Sequence, residues 1–215
     1  LYLETQNTRL DVSGNGTGNI SWIATRPVDG NDAEGTPVIS MVITDLAGNI
    51  STISNLVTQM ATAWPVNTSV TIDKVAPVIS THTLTSSSGT SWAKEGETIT
   101  FKFTTSESVQ ASPTVTFGGR PSQSPTYDTV SSEWTATRIV DQTDSNGIPK
   151  IAITMYDLAG NVTTISDQIT STPITIDKIA PTVATINFRS DNSNSIYAKL
   201  SDTITLTFTT SEQIQ

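Results

Sequence analysis

The chemistry-bearing residues that this sequence repeats are oxygen donors. Asp157 and Asn161 bracket the stretch DLAGN, and Asp45 and Asn49 bracket the same five residues 112 positions earlier. Further acids recur in fixed surroundings: Asp73 and Asp177 in TIDKVAP and TIDKIAP, Glu107 and Glu212 just after the segments ending TTS. Calcium takes six to eight oxygen ligands at roughly 2.3–2.6 Å, from carboxylates, amides and backbone carbonyls. These eight residues are therefore candidate calcium ligands, and Asp141 with Asp144 is a candidate second cluster. A cation held between turn, linker and following unit would stiffen a joint. Two features oppose it: there is no D-x-D-x-D-G run, and Lys74 and Lys178 directly follow the linker aspartates, where they would neutralise the charge. A turn also explains DLAGN without any ligand, since Asp accepts backbone N–H bonds and Gly supplies a positive φ.

Catalysis has little to draw on. His82 is the sole histidine and lies in the alternating stretch VISTHTLTS, where a solvent-facing strand position is expected. The chain has no cysteine, no glycine-rich phosphate loop and no histidine-based metal motif. Asp141 and Asp144 are close enough in sequence to invite comparison with a glycosidase carboxylate pair, but they recur as Asp29 and Asp32, and repetition favours structure over catalysis. The expectation is that the chain is not an enzyme.

Composition narrows the partners. The net charge is −9 and the pI about 4.4, with no basic stripe, so a nucleic-acid backbone or an anionic membrane surface would be repelled. No apolar run approaches the roughly 18 residues of a spanning helix. The absence of cysteine rules out disulfides and fits either a bacterial surface protein or a cytosolic one. Serine and threonine supply 65 of the 215 residues, alternating with Ile, Val and Phe in the manner of half-buried strands.

Self-similarity organises the whole chain. SWIATRPVD at 21–29 matches EWTATRIVD at 133–141, an offset of 112; TIDKVAP at 71–77 matches TIDKIAP at 175–181, an offset of 104. ETITFKFTTSESV at 97–109 matches DTITLTFTTSEQI at 202–214, an offset of 105. In ETITFKFTT the residues Ile99, Phe101 and Phe103 alternate with Thr98, Thr100, Lys102 and Thr104, which predicts one buried and one wet face. KIAITMYD puts Ile151, Ile153 and Met155 on one face, and further strands are expected at 77–85, 113–118, 132–140 and 161–176. Only TQMATAW at 58–64 hints at helical spacing. Many short strands separated by turns predict an all-β, two-sheet sandwich, with Trp22 and Trp134 between the sheets.

The elements Asp157–Asn161, Ile176–Pro181 and Phe208–Glu212, with earlier copies at 45–49, 72–77 and 103–107, resemble the bacterial immunoglobulin-like (Big-type) repeats of large surface adhesins. That resemblance covers nearly the whole chain. It implies tandem immunoglobulin-like antiparallel β-sandwiches, an extracellular bacterial location, and a spacer or filament role. It also implies boundaries at the proline-stiffened linkers: a unit at 1–75 lacking its first two strands, a complete unit at 76–179, and the first two strands of another at 180–215. A second phasing divides the chain at 1–112 and 113–215. The chain opens in mid-pattern, so it is expected to be an excerpt of a longer polypeptide. Expected partners are adjacent repeats or other copies joined head-to-tail, with 180–215 completing 1–75 of a neighbour. The alternative is a module that grips a surface glycan or host protein through loop 119–131, with Arg120 and Tyr127 as contacts.

Overall fold

The computed structural model describes residues 2–3, 8–9, 11–14, 22–53, 70–167 and 173–214, with side chains from residue 25 onward. The segment 58–64 and the side chain of Trp22 lie outside the described residues. Every described element is a β-strand, and the larger sheets are antiparallel.

The first region contains β1 (Tyr2–Leu3), β2 (Thr8–Arg9), β3 (Asp11–Gly14), β4 (Trp22–Thr25), β5 (Ile39–Thr44) and β6 (Ile50–Ile53). Its sheet order is β2-β1-β5-β6, with β3 and β4 forming a separate ladder.

The middle region contains β7 (Ile79–Ser86), β8 (Trp92–Ala93), β9 (Thr98–Thr105), β10 (Thr114–Phe117), β11 (Arg120–Pro121), β12 (Thr126–Asp128), β13 (Glu133–Ile139), β14 (Ile151–Tyr156), β15 (Val162–Ile165) and β16 (Thr175–Ile176). One four-stranded sheet has the order β12-β13-β9-β7, the other β11-β10-β14-β15. The pair β8 and β16 is parallel. In the last region, β17 (Val183–Ser190) and β18 (Ile204–Thr210) form an antiparallel hairpin.

A single apolar cluster lies between the two middle sheets. Leu84, Phe101, Phe103 and Ala136 come from one sheet, and Val115, Phe117, Ile151 and Ile153 from the other. Ile99, Phe101 and Phe103 are buried while Lys102 is exposed, so the alternation written in ETITFKFTT is realised. Each such Phe or Ile contributes on the order of 1.5–3 kcal/mol by leaving water. The result is a sandwich-like arrangement with its core drawn from residues 84–176. Strands β9 and β13, which a division at residue 112 would separate, pair from Trp134↔Phe103 to Ile139↔Thr98.

Two side chains sit differently from expectation. His82 shares the inward register of Leu84 and Ser86 on β7; it is half-buried, with its ring centroid 6.0 Å from that of Phe101. His82 thus follows the parity of Leu84 and Ser86, and the bulge between Ile79 and Thr81 lets Ile79 face the core as well. Trp134 is only partly buried: it packs on the rim of the core, with the Tyr127 ring tilted against it at 4.8 Å between centroids.

Candidate metal centre at the linker

The turn DLAGN closes the hairpin of β14 and β15, whose last pair is Tyr156↔Val162. Asp157 Oδ1 accepts from the backbone N–H groups of Gly160 (2.6 Å) and Asn161 (2.8 Å), and Oδ2 accepts from Asn161 Nδ2 (2.7 Å). Gly160 has φ +96°, a conformation that side chains strain. The copy at 45–49 repeats this lattice, with Asn49 Nδ2 donating to Asp45 Oδ2 at 2.7 Å and Gly48 at φ +89°. The turn chemistry belongs to the repeat itself. Only the surroundings differ.

At Asp157 three acids converge. One carboxylate oxygen from each of Asp73, Glu107 and Asp157 lies within 4.8 Å of the other two. Each is delivered by a different device. Glu107 follows β9, where the Thr105 hydroxyl donates to the Glu107 carbonyl (2.6 Å) and curls the strand end. The bridge Val109↔Asp157 and the bond from Gln110 N–H to the Tyr156 carbonyl (2.8 Å) then fix that loop beside the turn. Asp73 arrives on the incoming linker, where Asn161 Nδ2 donates to its carbonyl at 3.0 Å. The Thr163 hydroxyl donates to the Pro77 carbonyl, and Ser106 N–H to that of Val78 (2.8 Å), so the linker is fastened along its length.

Electrostatics at this cluster run in two directions. Burial raises the Asp157 carboxyl, but the Asn161 amide and the backbone N–H groups of Asn161, Gly160 and Ala159 outweigh it and hold the group below the ordinary value. Glu107 has no such donors. Burial, then the charges of Asp73 and Asp157, and more distantly Glu34, push it above its ordinary value. Three carboxylates this close repel one another, and an oxygen-seeking divalent cation is the chemistry that would relieve them.

The other expected ligands fall into distinct places. Asp177 does not join Asp157: the linker entering the middle region, and not the one leaving it, lies beside the DLAGN turn. Asp177 and Glu212 border a separate groove at the exit, where Glu212 Oε1 is buried without a hydrogen-bond partner among the described residues. Asp45 and Asn49 are exposed, and among the described residues Asp45 belongs to no converging group of three acids.

Asp141 and Asp144, expected as a second cation cluster, are instead committed to Arg138. The guanidinium donates through Nε to Asp144 Oδ1 (2.9 Å) and through Nη2 to Asp144 Oδ2 (3.0 Å) and Asp141 Oδ2 (2.9 Å). Arg26 also binds both aspartates of its copy, Asp29 and Asp32, but through Nη1 and Nη2 and without the Nε contact. A recurring Arg six residues before the second Asp was the available signal, in the aligned segments ATRPVD and ATRIVD.

The linker lysines also act differently from expectation. They leave the linker aspartates and reach backbone carbonyls: Lys74 Nζ donates to Gly30 (3.1 Å) and Asp32, Lys178 Nζ to Gln142 (3.0 Å) and Asp144. Lys74 N–H also donates to Glu34 Oε1 (3.0 Å), while Lys178 N–H donates to Asn146 Oδ1 (3.2 Å). Arg120 and Tyr127 border different grooves, and Arg120 Nη2 is occupied by the Thr143 carbonyl (3.2 Å).

No protein-family model, curated protein or solved structure matches the chain.

Proposed function

We propose that the chain is a structural repeat module of a bacterial surface protein, in which tandem immunoglobulin-like sandwiches act as a stiff, extended spacer or filament unit outside the cell. One observation carries this reading: the linker 73–77 is bonded on both sides. Lys74 ties it back to the loop 30–34, and Asn161, Thr163 and Ser106 tie its other end to the middle sandwich. A linker held at both ends transmits orientation. An unbonded chain of the same length would not.

Calcium fits the joint. Asp73, Glu107 and Asp157 would hold it, and bound charge there would cancel their mutual repulsion and lock turn to linker. The acidic balance of the chain and its −9 net charge suit a surface that meets divalent cations. The groove-separated Arg120 and Tyr127 favour no binding reading of comparable strength.

Solution X-ray scattering tests the proposal. The wild-type chain should give a narrow, elongated distance distribution, narrower still in millimolar calcium. Lys74→Ala and Asn161→Ala should each broaden it. Superimposable profiles for wild type and both variants would remove the stiff-joint reading, and no calorimetric heat from calcium added to EDTA-stripped protein would remove the cation.

A further inference from the structure

Strand pairing lines up three aromatic residues across one sheet of the middle sandwich. Tyr127 on β12 stands opposite Trp134 on β13, and Trp134 opposite Phe103 on β9. Burial fades along that row: Phe103 is sealed in the core, Trp134 is partly buried and Tyr127 is 47% exposed. In the facing sheet β10 begins only at Thr114, and the loop 106–112 borders the outer end of the row instead. A cleft of about 470 Å³ opens there between the two rings and the loop. That is within the range of ligand clefts, roughly 300–1,000 Å³.

Both walls are fixed. Tyr127 and Trp134 pack with ring centroids 4.8 Å apart. The loop is held by the Val109↔Asp157 bridge, by Gln110 N–H donating to the Tyr156 carbonyl (2.8 Å) and by the Ser112 hydroxyl donating to the Pro125 carbonyl (2.9 Å). A cleft formed in advance gives up little freedom when it is filled. The aromatic corner is also particular to the middle copy. In the first region Gly14 stands opposite Trp22, where Tyr127 stands opposite Trp134. The repeated strand pairing thus places a partner for the tryptophan in both copies, but only the middle one makes that partner a ring.

We propose that this cleft binds a short, neutral glycan. A pyranose ring presents C–H bonds on its faces and hydroxyls around its rim. The cleft offers the complementary pair: aromatic surface from Tyr127 and Trp134, and polar groups from Gln110, Ser108 and Ser132. An amide or a hydroxyl both donates and accepts, as a sugar hydroxyl does. Among the described residues, the Gln110 amide, the two serine hydroxyls and the Trp134 indole N–H have no hydrogen-bond partner. A wholly apolar ligand would cut such groups off from water without replacing its hydrogen bonds. An anionic sugar would meet the Glu107 carboxylate, and no Lys or Arg among the described residues lines the cleft to offset it. Arg120 has no part in this site. The proposal goes beyond the spacer reading and does not depend on it, since the cleft is built entirely from residues 105–134 of the middle sandwich. A flexible chain could keep the cleft and a stiff one could lack it, so the two readings fail separately.

Calorimetric titration of the full chain tests the assignment, with maltotriose, cellotriose and N-acetyllactosamine as neutral probes and sialyllactose as the anionic control. Glu107 borders both the cleft and the linker cluster, so the titrations are run in EDTA to keep sugar and cation apart. At least one neutral probe should bind with a dissociation constant in the millimolar range or tighter, and sialyllactose more weakly. Tyr127→Ala should weaken binding by about tenfold or more, through lost aromatic contact. Gln110→Ala, on the loop and outside the core, should weaken it by about threefold through one lost hydrogen bond. Arg120→Ala should leave it unchanged. A chain that ignores all three neutral sugars at millimolar concentration overturns the proposal and leaves the cleft to a ligand of other chemistry. Binding that is equally strong in wild type, Tyr127→Ala and Gln110→Ala overturns it too, by placing the sugar on another surface. A preference for sialyllactose overturns the neutral class.

Discussion

Two hairpins in this molecule have almost the same sequence pattern and opposite fates. In β7–β9 the inward residues vanish into a core; in β17–β18 their counterparts stand in water, although strand pairing, register and bulge are the same. The side-to-side pattern and the turn are therefore enough to shape a hairpin, while burial depends on what a second sheet brings to it. Stability and hairpin geometry are written at different ranges of the sequence.

The sharpest break in that comparison is a matched pair of truncations. Phe103→Ala should cost about 3–5 kcal/mol in urea-induced unfolding of the middle region. Phe208→Ala, measured on dilute protein, should stay within about 0.5 kcal/mol of wild type. Equal losses at low concentration would mean that the last hairpin already has a cover.

Next in size is Arg138→Ala. It strands Asp144, whose side chain is 4% exposed, and should cost about 3 kcal/mol in the same unfolding experiment. Arg138→Lys should recover only part of that, because an ammonium cannot span the two aspartates as the planar fork does.

Smaller still, Gly160→Ala and Gly48→Ala should each lose about 1–2 kcal/mol by forcing a side chain into positive φ. No other atom lies within 4 Å of the added Cβ at either site, so the loss should be similar at the two turns in thermal melts.

The smallest effect is set by pH. Glu107 is raised in the fold, so its ionised form is a burden above the folded value. That burden lifts as pH falls through that value towards 4.5, the ordinary one. Asp157 is lowered, so its contribution is present above 3.8 and is lost as pH falls through its folded value. Thermal melts should show a slight gain on moving from neutral pH towards 4.5 and a fall below 3.8. Glu107→Gln should abolish the gain and keep the fall.

Much of this was legible beforehand. Strand alternation in ETITFKFTT and KIAITMYD identified the core faces, because period-two burial is a local property. The DLAGN turn could be anticipated from its Asp and Gly, and Asp157 and Glu107 are both candidates from the recurring acids at strand ends. That Asp73 joins them in place of Asp177 could not, since it depends on which end of the sandwich the linker enters. Asp141 and Asp144 stand close in the sequence as candidate ligands, but the guanidinium that binds them sits on the preceding strand and is not signalled by the acids themselves. His82 faces inward by plain alternation, two residues before Leu84, and the bulge between Ile79 and Thr81 brings Ile79 to the same side.

The parallel seam between Trp92–Ala93 and Thr175–Ile176 has a mechanical corollary. Thr175 N–H and Asp177 N–H donate to the carbonyls of Ser91 (2.8 Å) and Ala93 (2.9 Å), so the last strand of the middle sandwich is clipped to a segment laid down some eighty residues before it. A pull on Asp177 along its own strand would load those bonds together in shear instead of peeling them one at a time. Tension would have to break that seam as a unit before it could draw out the core behind it.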